Sequence, residues 1–170
     1  MNGMKSDEAI RILITGGTID KEYDPLTGEL ILSKSYLLNM LNQVKCRVRF
    51  ISEEVMLKDS LQMMREDREE ILKKCVNCME NRVIVTHGTD TMVETARLLG
   101  NNVRRKTVVL FGAMIPYAFG ASDALFNLGC AFSAVQVLRQ GVYITMNGKL
   151  FRWDNVKKNR ESGVFEELPH

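Results

Sequence analysis

A flavodoxin-like, doubly wound α/β domain, with three αβα layers around a parallel sheet, is the fold this sequence predicts, and three observations predict it. Short runs rich in Val and Ile alternate with longer stretches of helical period. Several of those runs lack polar alternation, as strands covered on both faces do. Glycines, hydroxyls and carboxylates cluster directly after the runs, where a parallel sheet presents its ligand-binding loops. With 170 residues, 45% hydrophobic and 26% charged, the chain suits one domain that buries roughly two-thirds of its unfolded surface.

The strands are expected at "IRILIT" (10–15), "RVRFI" (47–51), "VIVT" (83–86), "TVVLFG" (107–112) and "VYITM" (142–146). A short helix is expected over Lys34 to Leu41. Leu61, Met64, Arg68, Ile71, Leu72, Cys75 and Met79 recur at spacings of three, four and seven, one helical stripe that is apolar apart from Arg68. Met92, Val93, Ala96 and Leu99 mark another helix. Leu125, Leu128, Phe132, Val135 and Leu138 mark the last, after a Ser122 cap. That helix also carries Ala124, Ala131, Ala134 and Val137 beside its main stripe, so an outer partner, and hence a homo-oligomer (dimer or tetramer), is expected. Residues 1–10 read as an N-terminal segment, 11–170 as the domain, and Lys157 to His170 as a short hairpin or a tail.

A formal charge of +2 offers no electrostatic argument for nucleic acid or a membrane. No apolar stretch approaches the roughly 20 residues needed to span a bilayer, and the polar Met1–Glu8 is not a signal peptide, so a cytoplasmic location is expected. Arg104-Arg105-Lys106 reads as a solvated loop. Cys75 and Cys78 form a Cys-x-x-Cys at the end of a helical pattern, without a second close pair, so reduced structural thiols are expected and no metal or cofactor.

Four rim segments follow the strands: "TGGTID" (15–20), "SEEVMLKDS" (52–60), "THGTDT" (86–91) and "GAMIP" (112–116). In TGGT two glycines permit a sharp turn and close backbone approach, while Thr15 and Thr18 offer hydroxyls. Taken alone it reads as a phosphate or flavin cradle or as a capped glycine turn; neither G-x-G-x-x-G nor a P-loop lysine is present. HGTDT adds a threonine and a carboxylate from a neighbouring strand end. A threonine attacks only once a base takes its proton. His87 and Asp90 suggest a Ser/His/Asp triad, but no Gly-x-Ser-x-Gly elbow exists for it, so His87 is expected as a packed strand-end residue.

"ITGGTIDKEY", "VTHGTDTMVETARLL" and "VVLFGAMIPYAFGASDALFNL" resemble three signature regions of the bacterial-type L-asparaginases. The likeness runs from about Arg11 to about Phe165, the N-terminal domain of the usual two-domain enzyme. It implies hydrolysis of L-asparagine to L-aspartate and ammonia through an acyl-enzyme. It further implies Thr18 as nucleophile, Thr89 in the catalytic network, Asp90 as support for the α-amino group, and Asp59 and Ser60 as the pair receiving the α-carboxylate and amine. Gly17, Gly88 and Ala113 belong to the same substrate pocket. Tyr23 matches the lid tyrosine, on "DKEYDPLTGEL" read as a mobile loop, and Lys158 the catalytic lysine, with Lys157 as the alternative. An N–H at the Gly17-Thr18 turn or near Gly112 and Ala113 would support the oxyanion. Nothing after Phe165 replaces the acidic residue that a C-terminal domain supplies in the family, so some glutamine hydrolysis is expected. A flavin- or phosphate-binding module and the asparaginase-like domain of an amidotransferase complex are the competing readings.

Overall fold

The computed structural model describes residues 9–169. In chain order these residues form β1 (Ile10–Gly16), a hairpin of β2 (Glu22–Asp24) and β3 (Glu29–Ile31), α1 (Leu37–Gln43), β4 (Phe50–Lys58) and α2 (Arg65–Asn77). They continue as β5 (Arg82–Thr86), α3 (Met92–Asn102), β6 (Thr107–Phe111), α4 (Ala124–Val137), β7 (Gly141–Met146), β8 (Lys149–Arg152), and a hairpin of β9 (Lys157–Lys158) and β10 (Phe165–Glu166). The main sheet runs β4-β1-β5-β6-β7-β8. Its first five strands are parallel and β8 is antiparallel to β7. Counting the parallel strands in sequence, this is the flavodoxin order 2-1-3-4-5, with its switch point between β1 and β5.

Alternation along each strand divides the core between two faces. Leu13, Val83, Val85, Val108, Leu110 and Ile144 meet Ile71 and Cys75 of α2 and Met92, Ala96 and Leu99 of α3. Ile10, Ile12, Ile14, Ile84, Val109 and Phe111 meet Leu37, Met40 and Leu41 of α1 and Leu128, Ala131 and Val135 of α4. The crossovers through α1, α2 and α3 therefore share one hand. The α4 crossover moves across the sheet in the same direction as those of α2 and α3 but on the opposite face, so it has the opposite hand, against the strong preference for one sense. This carries the loop after β6 to the α1 side, where Tyr117 lies against Tyr36 with ring centroids 5.6 Å apart.

Several boundaries differ from the expectation. The second parallel strand begins at Phe50, not at residue 47, and continues to Lys58 through residues read as loop. It is the sheet edge, where Glu53 can stay half-exposed and pair with Arg11 and Lys74. The stripe read over 61–79 yields α2 only over 65–77; Leu61, Met64 and Met79 are exposed, and Arg68 instead anchors to the Met63 carbonyl. The first helix starts at Leu37 rather than residue 34. Arg104 and Lys106 are not simply solvated: Arg104 donates to carbonyls of Gly100 and Asn101 at the α3 end, and Lys106 to those of Cys78 and Glu80. The N-cap of α4 is Asp123 rather than the expected Ser122, which sits one residue earlier and accepts from Ala124 N. The tail is the β9–β10 hairpin. Residues 1–8 of the N-terminal segment lie outside the described residues, and Ile10 already belongs to β1.

Candidate active site

The crevice is built on backbone that only glycine permits. Gly17 has φ +89°, and a Cβ there would lie 2.4 Å from Gly88 N. A Cβ on Gly88 would lie 2.6 Å from Ser60 Oγ, and one on Gly112 2.3 Å from the His87 carbonyl oxygen. The four rim segments thus pack backbone to backbone at the carboxyl ends of β1, β4, β5 and β6. Side chains lock them. Thr15 donates its hydroxyl to the Thr86 carbonyl and its N–H to the Thr86 hydroxyl oxygen, so the first threonine of TGGT is structural. Thr91 donates to the Ser60 carbonyl at 2.8 Å, joining HGTDT to the Asp59-Ser60 turn.

On this floor Lys158 reaches back from β9. Its Nζ donates to Thr89 Oγ1 at 2.8 Å and to Asp90 Oδ1 at 2.6 Å, and its side chain is only 9% exposed. Lys157 points away and pairs with Glu166 at 3.2 Å on the surface. Thr89 is buried, whereas Asp90 is half-exposed. Because Lys158 donates to the Thr89 oxygen, the Thr89 proton is left to point elsewhere. Thr18, on the neighbouring 3-10 turn Thr18–Asp20, is half-buried, and its hydroxyl has no hydrogen-bond partner among the described residues. The Gly17 N–H is engaged by the Lys58 carbonyl, which leaves Thr18 N–H as the donor this turn can offer a developing charge.

His87 is fully buried. Its Nδ1 lies 2.8 Å from the Gly88 carbonyl oxygen, which can only accept, so Nδ1 carries the proton and Nε2 accepts from the Thr95 hydroxyl at 2.7 Å. Burial pulls its pKa down from 6.5 to about 4, so the ring is neutral and both nitrogens are spent inside the core.

Asp59 stands at the rim, but not free. Oδ1 accepts from Leu61 N and Oδ2 from Lys21 Nζ at 2.5 Å. Burial pushes this carboxyl up, yet the Lys21 ammonium and the Leu61 N–H outweigh it and hold it below the usual range. Ser60 is 1% exposed, and its Oγ is without a partner among the described residues. Ala113 is buried at the crevice wall. Its loop is held by Asp123, which accepts from the N–H groups of Met114 and Ile115, and by Asn127, whose Nδ2 donates to the Gly112 carbonyl.

Tyr23 is not brought to the floor: it is 58% exposed on the β2–β3 hairpin. The segment read as a mobile loop is this hairpin, closed by Asp24, which accepts from Leu26 N and the Thr27 hydroxyl. Glu22 anchors it through Ser33 and Tyr36. Asp20 lies beneath, fully buried, accepting from Tyr36 N at 2.8 Å and Ser35 Oγ at 3.1 Å; desolvation pushes its pKa up to about 6. Lys21, Asp123 and Asn127 were not anticipated from sequence. The i, i+4 pair Asp123/Asn127 at a helix start was a legible signal, whereas Lys21 had none.

Among the described residues no group of His, Cys, Asp and Glu is arranged to hold a metal ion, and the four cysteines are free. No helix among them is long and apolar enough to cross a membrane.

A flavodoxin-ordered sheet with hydroxyls, a lysine and carboxylates on the rim beside its switch point defines an α/β domain with a polar crevice at the carboxyl ends of its parallel strands. The chain belongs to the asparaginase family: the profile described as asparaginase, N-terminal, matches residues 9–165. A glutamyl-tRNA(Gln) amidotransferase chain of Methanococcus vannielii is 32% identical over 167 residues, covering 91% of this chain and 37% of the relative. L-asparaginase 2 of Escherichia coli is 32% identical over 169 residues, covering 91% of this chain and 47% of the relative. The thermostable L-asparaginase of Thermococcus kodakarensis superposes with a TM-score of 0.83 at 24% identity, over 95% of this chain and 52% of that one. The chain therefore spans about a third to a half of the length of these curated relatives.

Proposed function

We propose that this domain hydrolyses the side-chain amide of L-asparagine, giving L-aspartate and ammonia, with Thr18 as nucleophile. The observation that carries this reading is the contact of Lys158 with both Thr89 and Asp90, beside a Thr18 hydroxyl left without a partner. Thr18 Oγ1 attacks the amide carbon and the carbonyl oxygen gains charge, received by Thr18 N–H or the Gly112-Ala113 backbone. Ammonia leaves with a proton, and water then cleaves the resulting ester to release the acid and restore the threonine. The Thr18 proton passes to the Thr89 oxygen as Thr89 gives its own proton to the departing nitrogen, and Lys158, held 2.6 Å from Asp90, fixes that oxygen through its 2.8 Å contact. Asp59, Ser60, Gly17, Gly88 and Ala113 form the substrate's bed, and Tyr23 closes over it when the hairpin folds in. The side-chain pocket discriminates by one methylene only, so glutamine is a slower second substrate.

We also propose a cytoplasmic location, which the four free thiols support. We further propose a homo-oligomer formed through the outer face of α4, where Phe126 and Val137 are 60% and 70% exposed.

Ammonia release from L-asparagine and L-glutamine tests the reading. Thr18→Ala is expected to lose about 10³-fold or more in kcat/KM, and Thr89→Val and Lys158→Met about 10²-fold each. Inactivity of the wild type on both amides, or a Thr18→Ala that keeps most of its activity, sinks it. An amidotransferase reading is favoured by the Methanococcus vannielii relative; it predicts ammonia release that rises several-fold only when a partner chain is added.

A further inference from the structure

The floor carries Ser60 Oγ, fully buried against Gly88 without a partner among the described residues. A buried hydroxyl left unpaired is costly, so the place is shaped for a ligand acceptor. Next to it, Lys21 Nζ meets Asp59 Oδ2 at 2.5 Å, with side chains 21% and 24% exposed. An ammonium has three donors, and this contact uses one. Lys21 is also tied to the nucleophile: its N–H donates to the Thr18 carbonyl at 3.1 Å, so one tight turn fixes the separation of the two residues. Its backbone is extended (φ −72°, ψ 141°) and runs directly into β2. Strand alternation then puts Lys21 and Tyr23 on one side and Glu22, bound to Tyr36, on the other.

Charge points the same way. Without Lys21, the ionised rim groups Asp59 and Asp90 against Lys158 leave one net negative charge, which repels a carboxylate; with Lys21 the four balance. Resting on the amidohydrolase reading, we infer that Lys21 is the specificity-determining anchor for the substrate's α-carboxylate, held ready by Asp59 and completed by the Ser60 hydroxyl. A substrate α-ammonium then displaces nothing, since it faces the outer oxygen of Asp90.

The test compares L-asparagine with its α-methyl ester, which keeps the scissile amide and the amine but lacks the carboxylate charge. For Lys21→Met, KM for L-asparagine is expected to rise about 10- to 100-fold while kcat falls far less. KM for the ester should move by less than about twofold, and Lys21→Arg should recover most of the loss on asparagine. Equal losses on both substrates would mean a structural role and overturn the inference, as would an unchanged KM for asparagine. Calorimetric titration with L-aspartate separates this failure from failure of the amidase reading. If the wild type releases no ammonia yet binds aspartate at least about tenfold more tightly than Lys21→Met, the anchor stands and the amidase reading falls. Equal or absent aspartate binding overturns the anchor whatever the turnover.

Discussion

The floor of the crevice and the hairpin above it reach the same neighbourhood by different physics. The floor is buried backbone at the ends of four parallel strands, with Gly17, Gly88 and Gly112 each packed so that a methyl would collide. The hairpin is exposed, with Tyr23 at 58%, Leu26 at 94% and Leu30 at 48%, and is held by side-chain bonds from Glu22 and Asp20 to residues 33–36. Close packing resists displacement because many contacts must break together, whereas a few half-exposed hydrogen bonds can exchange with water one at a time. Thr18, the proposed nucleophile, sits at the junction, on the turn that leaves the floor and begins the hairpin.

Two identical substitutions probe this contrast most strongly. Gly17 and Gly28 both have positive φ, +89° and +76°, but a Cβ at Gly28 meets nothing within 4 Å. Gly28→Ala should therefore cost only the left-handed strain, about 1 kcal/mol, and leave turnover nearly intact. Gly17→Ala adds collision with the Gly88 backbone and should cost about 3 kcal/mol or more, with activity lost. Urea unfolding of the two variants checks the ranking; similar losses would show that the floor yields as easily as the lid.

Each region also buries one titratable group, and the two respond to acid in opposite senses. His87 in the floor has its pKa lowered from 6.5 to about 4 by burial. Its neutral form is favoured by folding, so its contribution is full above pH 6.5 and is lost as pH falls through about 4, amounting to about 3 kcal/mol. Asp20 under the hairpin has its pKa raised from 3.8 to about 6. Its protonated form is favoured, so its contribution is full below pH 3.8 and is lost as pH rises through about 6, again about 3 kcal/mol. Between these limits the two slopes oppose each other. Replacing Asp20 with Asn should make the protein gain on the wild type as pH rises from 4 to 7. Replacing His87 with Gln should make it gain as pH falls over the same range. Stability curves parallel to the wild type in both variants would show that neither group titrates with folding.

What could be read from sequence divides along the same line. β1, β5, β6 and β7 announce themselves as apolar β-branched runs because both their faces are covered. The edge strand β4 showed only its start, Phe50 and Ile51 within "RVRFI", since Glu53 and Glu54 interrupt the pattern beyond it, and the Glu53 partners Arg11 and Lys74 are distant in sequence. The positions of Thr18, Thr89 and Asp90 on the rim follow from strand ends and the switch-point rule. The Lys21–Asp59 pair does not, because it depends on where a short turn aims a flexible side chain 38 residues from its partner. Likewise, no local pattern shows that α4 packs on the α1 face; that follows only from the assembled sheet.

The smallest expected effect concerns the two adjacent lysines of β9. Successive residues of a strand face opposite ways, so one position decides which lysine enters the crevice. Lys158 is turned in, 9% exposed and bonded to Thr89 and Asp90, while Lys157 is turned out, 44% exposed and paired with Glu166. A half-exposed ion pair contributes little, because water screens it and two long side chains must be ordered to make it. Lys157→Ala should therefore leave ammonia release within about twofold of the wild type and the melting curve nearly unmoved. Lys158→Met, one residue away, should lose activity while the hairpin still forms. If Lys157→Ala proves the more damaging of the two, the β9 register is shifted by one residue, and the threonine–lysine contact at the centre of the site is wrong.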